Sequence, residues 1–192
     1  MELNHLQFIY DEPQDRLLLR IAATDDGTQH ELRAWLTRRF IASLWVAVQK
    51  ALAMQVTLAH PAASHASAEL IEMAHQFALD KLTEHGAFGD NFRNDLPPHA
   101  ALANPFLVAE AKFHIAAQEP MRVNFLPAEG LGIEIAFNDV ELHGFCTLLQ
   151  QAVMTAQWDV PLQLESAWDD ASHEHGETGF DMPLQVAPRL LN

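Results

Sequence analysis

The sequence predicts an α+β fold, with two units of three antiparallel strands followed by a helix and an additional helix between the units. Apolar and polar residues alternate over three short segments near the start of the chain, as in half-buried strands. The apolar spacing then changes to every third or fourth residue, as in a helix with one buried face. The same order returns about 100 residues later, which indicates a possible internal repeat.

The first unit covers residues 4–53. Turn-forming residues at 11–15 and 24–27 separate its strands, and the inward face of the second strand carries Leu17, Leu19 and Ile21. Thr37 is a good N-cap, because its hydroxyl can accept a hydrogen bond from a free backbone N–H of the first helical turn. The helix that follows has an apolar stripe made of Ile41, Leu44, Trp45, Val48, Ala51 and Leu52.

The middle of the chain predicts one further helix, over residues 67–84. Its expected buried residues are Leu70, Ile71, Ala74, Phe77, Ala78 and Leu82. Residues 86–106 contain glycine, asparagine, aspartate and the pair Pro97-Pro98, so we interpret them as a long loop between the units.

The second unit covers residues 107–157. Its first strand is predicted to have one inward face made of Leu107, Ala109, Ala111, Phe113 and Ile115. Asn138 and Glu141 predict a capping box at the start of its helix. Duplication would explain the likeness of the two units, although any two amphipathic units of this order would also align. Residues 158–192 have a weaker pattern and are interpreted as an irregular C-terminal segment of a single domain spanning 1–192.

Composition narrows the class of protein. The chain has 192 residues, 49% of them apolar, which suits one packed domain. Acidic residues outnumber Lys and Arg by 26 to 11, for a formal charge of −15, which argues against generic binding to nucleic acid or anionic membranes. Residues 40–59 are apolar but contain Lys50, so a buried amphipathic helix is favoured over a membrane span. A single cysteine and the lack of a secretory signal pattern predict a cytoplasmic protein.

Arginines in the first unit predict one candidate anion site. Arg20 and Arg33 are expected on the outward faces of neighbouring strands, and Arg38 and Arg39 begin a helix whose free N–H groups favour an anion. Their guanidinium groups suit a small phosphate or carboxylate. The alternative is that they pair with acids such as Glu31, or dock on the acidic second half of the chain or on another subunit.

His173 and His175 are the candidate metal ligands, because imidazole and carboxylate groups alternate around them. The alternative is a solvated acidic loop, since an extended strand would point the two imidazoles in opposite directions. Cys146 lies on the apolar stripe of the second unit's helix and is interpreted as a core residue. The sequence contains no phosphate-binding loop or nucleophile elbow, so no cofactor is predicted.

Residues 15–20 (DRLLLR) and 35–39 (WLTRR) resemble a stretch of an uncharacterised family of bacterial proteins. The resemblance implies a bacterial cytoplasmic protein. It implies no activity, ligand or site residue.

These observations favour a non-catalytic module that binds another protein or forms a homo-oligomer. Leu18 and Trp35 are expected on outward strand faces, and Leu190 belongs to an apolar terminal segment that could add a strand to a neighbour. A small-anion or metal-dependent binding protein or enzyme is the alternative. A third class, an acidic protein that imitates nucleic acid, would need its carboxylates on one surface at phosphate-like spacing.

Overall fold

A computed structural model describes residues 2–85, 92–117 and 119–163. The first sheet contains β1 (Glu2–Asp11), β2 (Arg16–Asp25), β3 (Thr28–Thr37) and β4 (Phe106–Leu107) in that order; the second contains β5 (Glu110–His114), β6 (Met121–Leu126) and β7 (Ile133–Phe137). The helices are α1 (Arg38–Ala59), α2 (Ser67–His85) and α3 (Asp139–Thr155). Neighbouring strands are antiparallel except for β3 and β4, which are parallel. The predicted α+β class is confirmed.

Each half of the chain contains three consecutive antiparallel strands followed by a helix. The predicted caps are present: the Thr37 side chain accepts from the Phe40 N–H at 3.1 Å, and Asn138 and Glu141 form a reciprocal capping box. The predicted apolar stripe of α1 is buried, and so is Cys146 on the apolar stripe of α3. That the halves arose by duplication stays a prediction.

One hydrophobic core joins the inward faces of the two sheets to α1 and α3. α1 packs on β3, α3 packs on β1 and β7, and α2 lies against both other helices. Phe145 of α3 links the sheets, because its ring lies 5.5 Å from Phe8 of β1 and 5.4 Å from Phe137 of β7, centroid to centroid. These edge-to-face and tilted contacts stabilise the core beyond simple apolar burial.

The predicted continuous strand from residue 107 is wrong. It is interrupted between β4 and β5, and Leu107, expected to face inward, is 44% exposed. The Val108 N–H donates to the Trp35 carbonyl in the first sheet. The N–H of the next residue, Ala109, donates to the Leu126 carbonyl in the second sheet. Because the chain passes from one sheet to the other here, the alternation of faces is broken, and Ala109 is exposed as well.

The middle helix is confirmed, with one wrong assignment on its buried face. Ala78 is buried, but Phe77 is 58% exposed. Leu70, Ile71 and Ala74 are half-buried, and the Leu82 side chain lies outside the described residues. The reason is that α2 covers two other helices and contacts no sheet closely, so its buried face is narrower than the sequence suggests.

Of the helices in the described ranges, α1 alone is long and apolar enough to cross a membrane, by length and composition. In this fold its predicted stripe lies in the core, with Ile41 and Leu44 almost fully buried. That the protein does not associate with membranes stays a prediction.

Beyond α3 the chain has no regular structure as far as Gln163, and the remaining residues, 164–192, lie outside the described part. Trp158 anchors this stretch: its indole N–H donates to Asp15 Oδ1 at 2.6 Å, and its ring packs edge-on against Tyr10. Further along, the Gln163 carbonyl accepts from the Trp45 indole of α1 at 3.0 Å.

Candidate interaction surface

The outer face of the first sheet, opposite the core, carries the candidate interaction surface. In the strand register Ile9 pairs with Leu18, Leu18 with Trp35, and Trp35 with Leu107. Because neighbouring strands lie about 4.8 Å apart, these four side chains form a continuous line across all four strands. We call this line the apolar row.

The two ends of the apolar row are open to solvent. Ile9 is 40% and Leu107 is 44% exposed, while Leu18 and Trp35 are half-buried. The outer face of an antiparallel sheet normally carries polar side chains, so aligned apolar residues here are unusual. Apolar residues grouped on a surface and bordered by polar ones are typical of protein interaction sites.

The rest of this outer face is covered by residues 92–103. Phe92 and Leu96 form a small buried cluster with Ala22 of β2. The Arg20 guanidinium lies 4.1 Å from the centre of the Phe92 ring, a cation–π contact. Part of the predicted loop is therefore a packed cover, and the apolar row lies beside it.

Glu31 of β3 holds the cover in place. Its backbone N–H donates to the Pro97 carbonyl at 2.8 Å, and its own carbonyl accepts from the His99 N–H at 3.0 Å. Its carboxylate binds Arg20 Nε at 2.5 Å, and both side chains are nearly buried. Glu31 thus joins the first sheet to the cover formed by residues 92–103.

The four arginines of the predicted anion site do not form one cluster. Arg20 and Arg33 are direct cross-strand partners. Arg38 begins α1, which follows the end of β3. Four strand residues lead from Arg33 to that end, a distance of about 13 Å. Arg33 donates to the Ala103 carbonyl at 2.8 Å and Arg38 to the Asp159 carbonyl at 3.2 Å. Arg39 is exposed. Arg20 pairs with an acid, Glu31, as the alternative interpretation expected. The anion site stays a prediction.

A pair of histidines joins α2 to α3. Nδ1 of His75 and Nδ1 of His143 lie 3.3 Å apart, so one ring nitrogen donates and the other accepts. His143 is only 3% exposed. Burial lowers the pKa of His143 to about 4, with a contribution from the nearby His75, and burial also lowers the pKa of His75. Both rings are therefore neutral at neutral pH.

A cavity of about 600 Å³ opens beside this pair. It lies between the C-terminal half of α1, the first turns of α2, the chain before β6 and the start of α3. His143 lines it, together with His60 and the acids Glu119 and Asp139. Within the described residues, no three His, Cys, Asp or Glu side chains are close enough to hold a metal ion.

The remaining predicted site residues divide into two groups. His173, His175 and Leu190 lie outside the described residues, so the metal site and the terminal strand stay predictions. Cys146 is fully buried in the core of α3, and burial raises the pKa of its thiol to about 12. Because the thiolate is the nucleophilic form, this cysteine is a core side chain, as expected.

Comparisons of the chain with protein-family models, curated proteins and solved structures found no match. Two members of the apolar row, Ile9 and Leu107, were missed from the sequence. Ile9 could have been found, since Leu6, Phe8 and Tyr10 alternate along the first strand and this alternation turns Ile9 outward. Leu107 could not, because its orientation depends on the crossing between the sheets.

Proposed function

We propose that this protein is a non-catalytic module that binds another protein or a second copy of itself through the apolar row. The observation that carries the proposal is the register that aligns Leu18 and Trp35 with exposed residues on both sides. Apolar residues at the centre of an interface supply most of its affinity, and polar residues at its rim exclude water. Here Arg16 flanks Leu18 on the same face of β2, and Arg20 lies on the other side of Leu18, nearly buried beneath residues 92–103.

Cys146 and Arg20, two of the titratable side chains in the described part of the chain, also support a binding role. Cys146 is a buried, protonated thiol, and the Arg20 guanidinium is engaged by Glu31, Gln7 and Asn94. These contacts stabilise the fold and leave little freedom for a reacting substrate.

Because of the negative charge of the chain, added salt should act in opposite directions on binding of a second copy and on binding of a basic partner. At a formal charge of −15, two copies repel each other over long range, so added salt should strengthen self-association. A basic partner would be attracted at low salt, so added salt would weaken its binding.

The test for self-association is sedimentation velocity over a series of protein and salt concentrations. We expect Leu107→Glu to weaken dimerisation at least ten-fold, about 1.4 kcal/mol, because a carboxylate would be desolvated at the interface. Leu131→Glu is the matched control, because Leu131 is an exposed leucine at the β6–β7 turn, outside the row. Equal thermal unfolding of both variants excludes a folding defect.

A wild-type protein that stays monomeric at every concentration refutes self-association, and the partner is then sought by cross-linking. A photoreactive residue placed at position 107 should give a discrete cross-linked protein in the source cell, and the same residue at position 131 should not. If neither position, or both equally, gives a product in a protein that is also monomeric, the proposed function is wrong.

A further inference from the structure

The cavity beside the three helices is lined by both apolar and polar side chains. The lining includes small and aliphatic side chains, namely Leu52, Val56, Ala59, Leu70, Ile71 and Ala74. The lining also includes polar side chains, namely Gln55, His60, Glu119, Asn138, Asp139 and His143. Its volume of about 600 Å³ lies within the range of small-molecule sites. It is distinct from the apolar row, which is on the outer face of the first sheet.

His143 offers the cavity one hydrogen-bonding atom. Its Nδ1 is engaged by His75, and no hydrogen bond within the described ranges uses its Nε2. The residue is 97% buried, at 3% exposure, and lines the cavity, so Nε2 is the ring nitrogen left for a ligand. His143 Nε2 is not among the buried polar atoms that lack a partner in the described residues, so this atom reaches the cavity, and a ligand that donates to it replaces a water molecule.

The charged side chains that line the cavity indicate which ligand head group it favours. Among the described residues, the lining contains two carboxylates, Glu119 and Asp139, and no Lys or Arg. Asp139 and His143 are four residues apart on α3, so they share one face of the helix. Gln55 donates to Asp139 Oδ1 at 2.7 Å and leaves the second carboxylate oxygen, Oδ2, for another donor. These carboxylates attract a cationic hydrogen-bond donor and repel an anion.

We propose that this cavity binds a small amphiphile with an apolar body and a primary amine head. The ammonium donates one hydrogen bond to His143 Nε2 and lies near the carboxylates of Asp139 and Glu119. This requires the Nδ1–H tautomer of His143, which donates to His75, and the Nε2–H tautomer of His75. The apolar body lies along α1 and α2, where it replaces water against Val56 and Ile71.

The probe for the test is N-phenyl-1-naphthylamine, a neutral apolar dye whose fluorescence rises when it leaves water. Octylamine, octanol and octanoate, each below its micelle concentration, are then compared as competitors at pH 7.5. We expect octylamine to displace the dye at a concentration at least ten-fold lower than octanoate, with octanol between them. Equal displacement by all three, or better displacement by octanoate, overturns the proposal.

Variants locate the site. Ala59→Trp fills the cavity from an exposed position on α1 and should reduce dye binding at least ten-fold. Val46→Trp is the matched control, because Val46 is exposed on the same helix away from the cavity, and it should bind as the wild type does. Asp139→Asn should reduce the preference for octylamine over octanol.

Two results contradict the site. One is dye binding in Ala59→Trp equal to that in Val46→Trp. The other is an unchanged octylamine preference in Asp139→Asn. If Ala59→Trp unfolds at lower temperature than the wild type, Ala74→Phe on α2 replaces it in the same comparison.

Discussion

At the scale of single residues, the clearest feature is the buried histidine pair. His75 and His143 use each other as hydrogen-bond partners, so neither ring needs to be charged. Protonating both would place two positive charges 3.3 Å apart, with the charge on His143 almost fully buried. The pair therefore links stability to pH.

We expect the free energy of unfolding to fall as the pH drops from about 6.5 towards 4. The folded state holds the pKa of His143 near 4, below the unfolded value of 6.5, so the unfolded state binds more protons in this window. Full protonation of the unfolded residue would cost about 3 kcal/mol of stability, at roughly 1.4 kcal/mol for each unit of pKa. Urea unfolding of the wild type and His143→Gln across this range measures the effect.

His143→Gln should show the shallower pH dependence, because glutamine does not titrate. His114→Gln, at an exposed position on β5, should keep the wild-type slope. Parallel pH profiles for wild type and His143→Gln would show that the pair does not couple folding to protons.

At the scale of elements, both long helices that follow a meander begin at a side-chain cap. Thr37 supplies one hydrogen bond to α1, whereas α3 has two, between Asn138 and Glu141 in both directions. Each bond satisfies a backbone N–H that lacks a partner within the helix. The caps therefore set where strand ends and helix begins.

Asn138→Ala should destabilise the protein by about 1 kcal/mol, the usual cost of losing an N-cap side chain. The measurement is the urea midpoint at constant slope. Thr147→Ala is a suitable control, because the Thr147 hydroxyl donates to the His143 carbonyl inside α3, a bond that adds little to helix stability. If the two variants unfold at the same midpoint, the cap does not stabilise α3 as the geometry indicates.

The elements also show where reading a sequence fails. Apolar alternation placed the inward face of β2 correctly, because Leu17, Leu19 and Ile21 all lie in the core. Leu107 and Phe77 were misplaced because their neighbours are supplied by distant parts of the chain. Alternation reports on local periodicity and carries no information about which sheet a residue joins.

At the scale of the whole molecule, the pair formed by Arg20 and Glu31 joins the first sheet to residues 92–103. Arg20 also binds Asn94 at 2.8 Å and stacks on Phe92, so one side chain holds the cover at several points. The pair is nearly buried, and the loss of one partner leaves the other charge desolvated.

Glu31→Gln should destabilise the protein by about 2–4 kcal/mol in urea unfolding, because Arg20 would keep a buried charge without its carboxylate. It should also speed proteolytic cleavage within residues 92–103. Asp95→Asn removes the acid of an exposed ion pair with Arg93 and should change neither. Cleavage at the wild-type rate in Glu31→Gln would mean that the cover is held by its apolar contacts alone.

Sequence reasoning recovered the fold class, the two caps, the buried stripe of α1 and the outward positions of Leu18 and Trp35, because each follows from periodicity or from hydrogen bonds within a few residues. The tertiary structure alone decided that Ile9, Leu18, Trp35 and Leu107 align, that Arg20 is bound by Glu31, and that His75 meets His143 beside a cavity. Those arrangements depend on strand register and helix packing, which bring together residues far apart in the chain, and local spacing does not specify them.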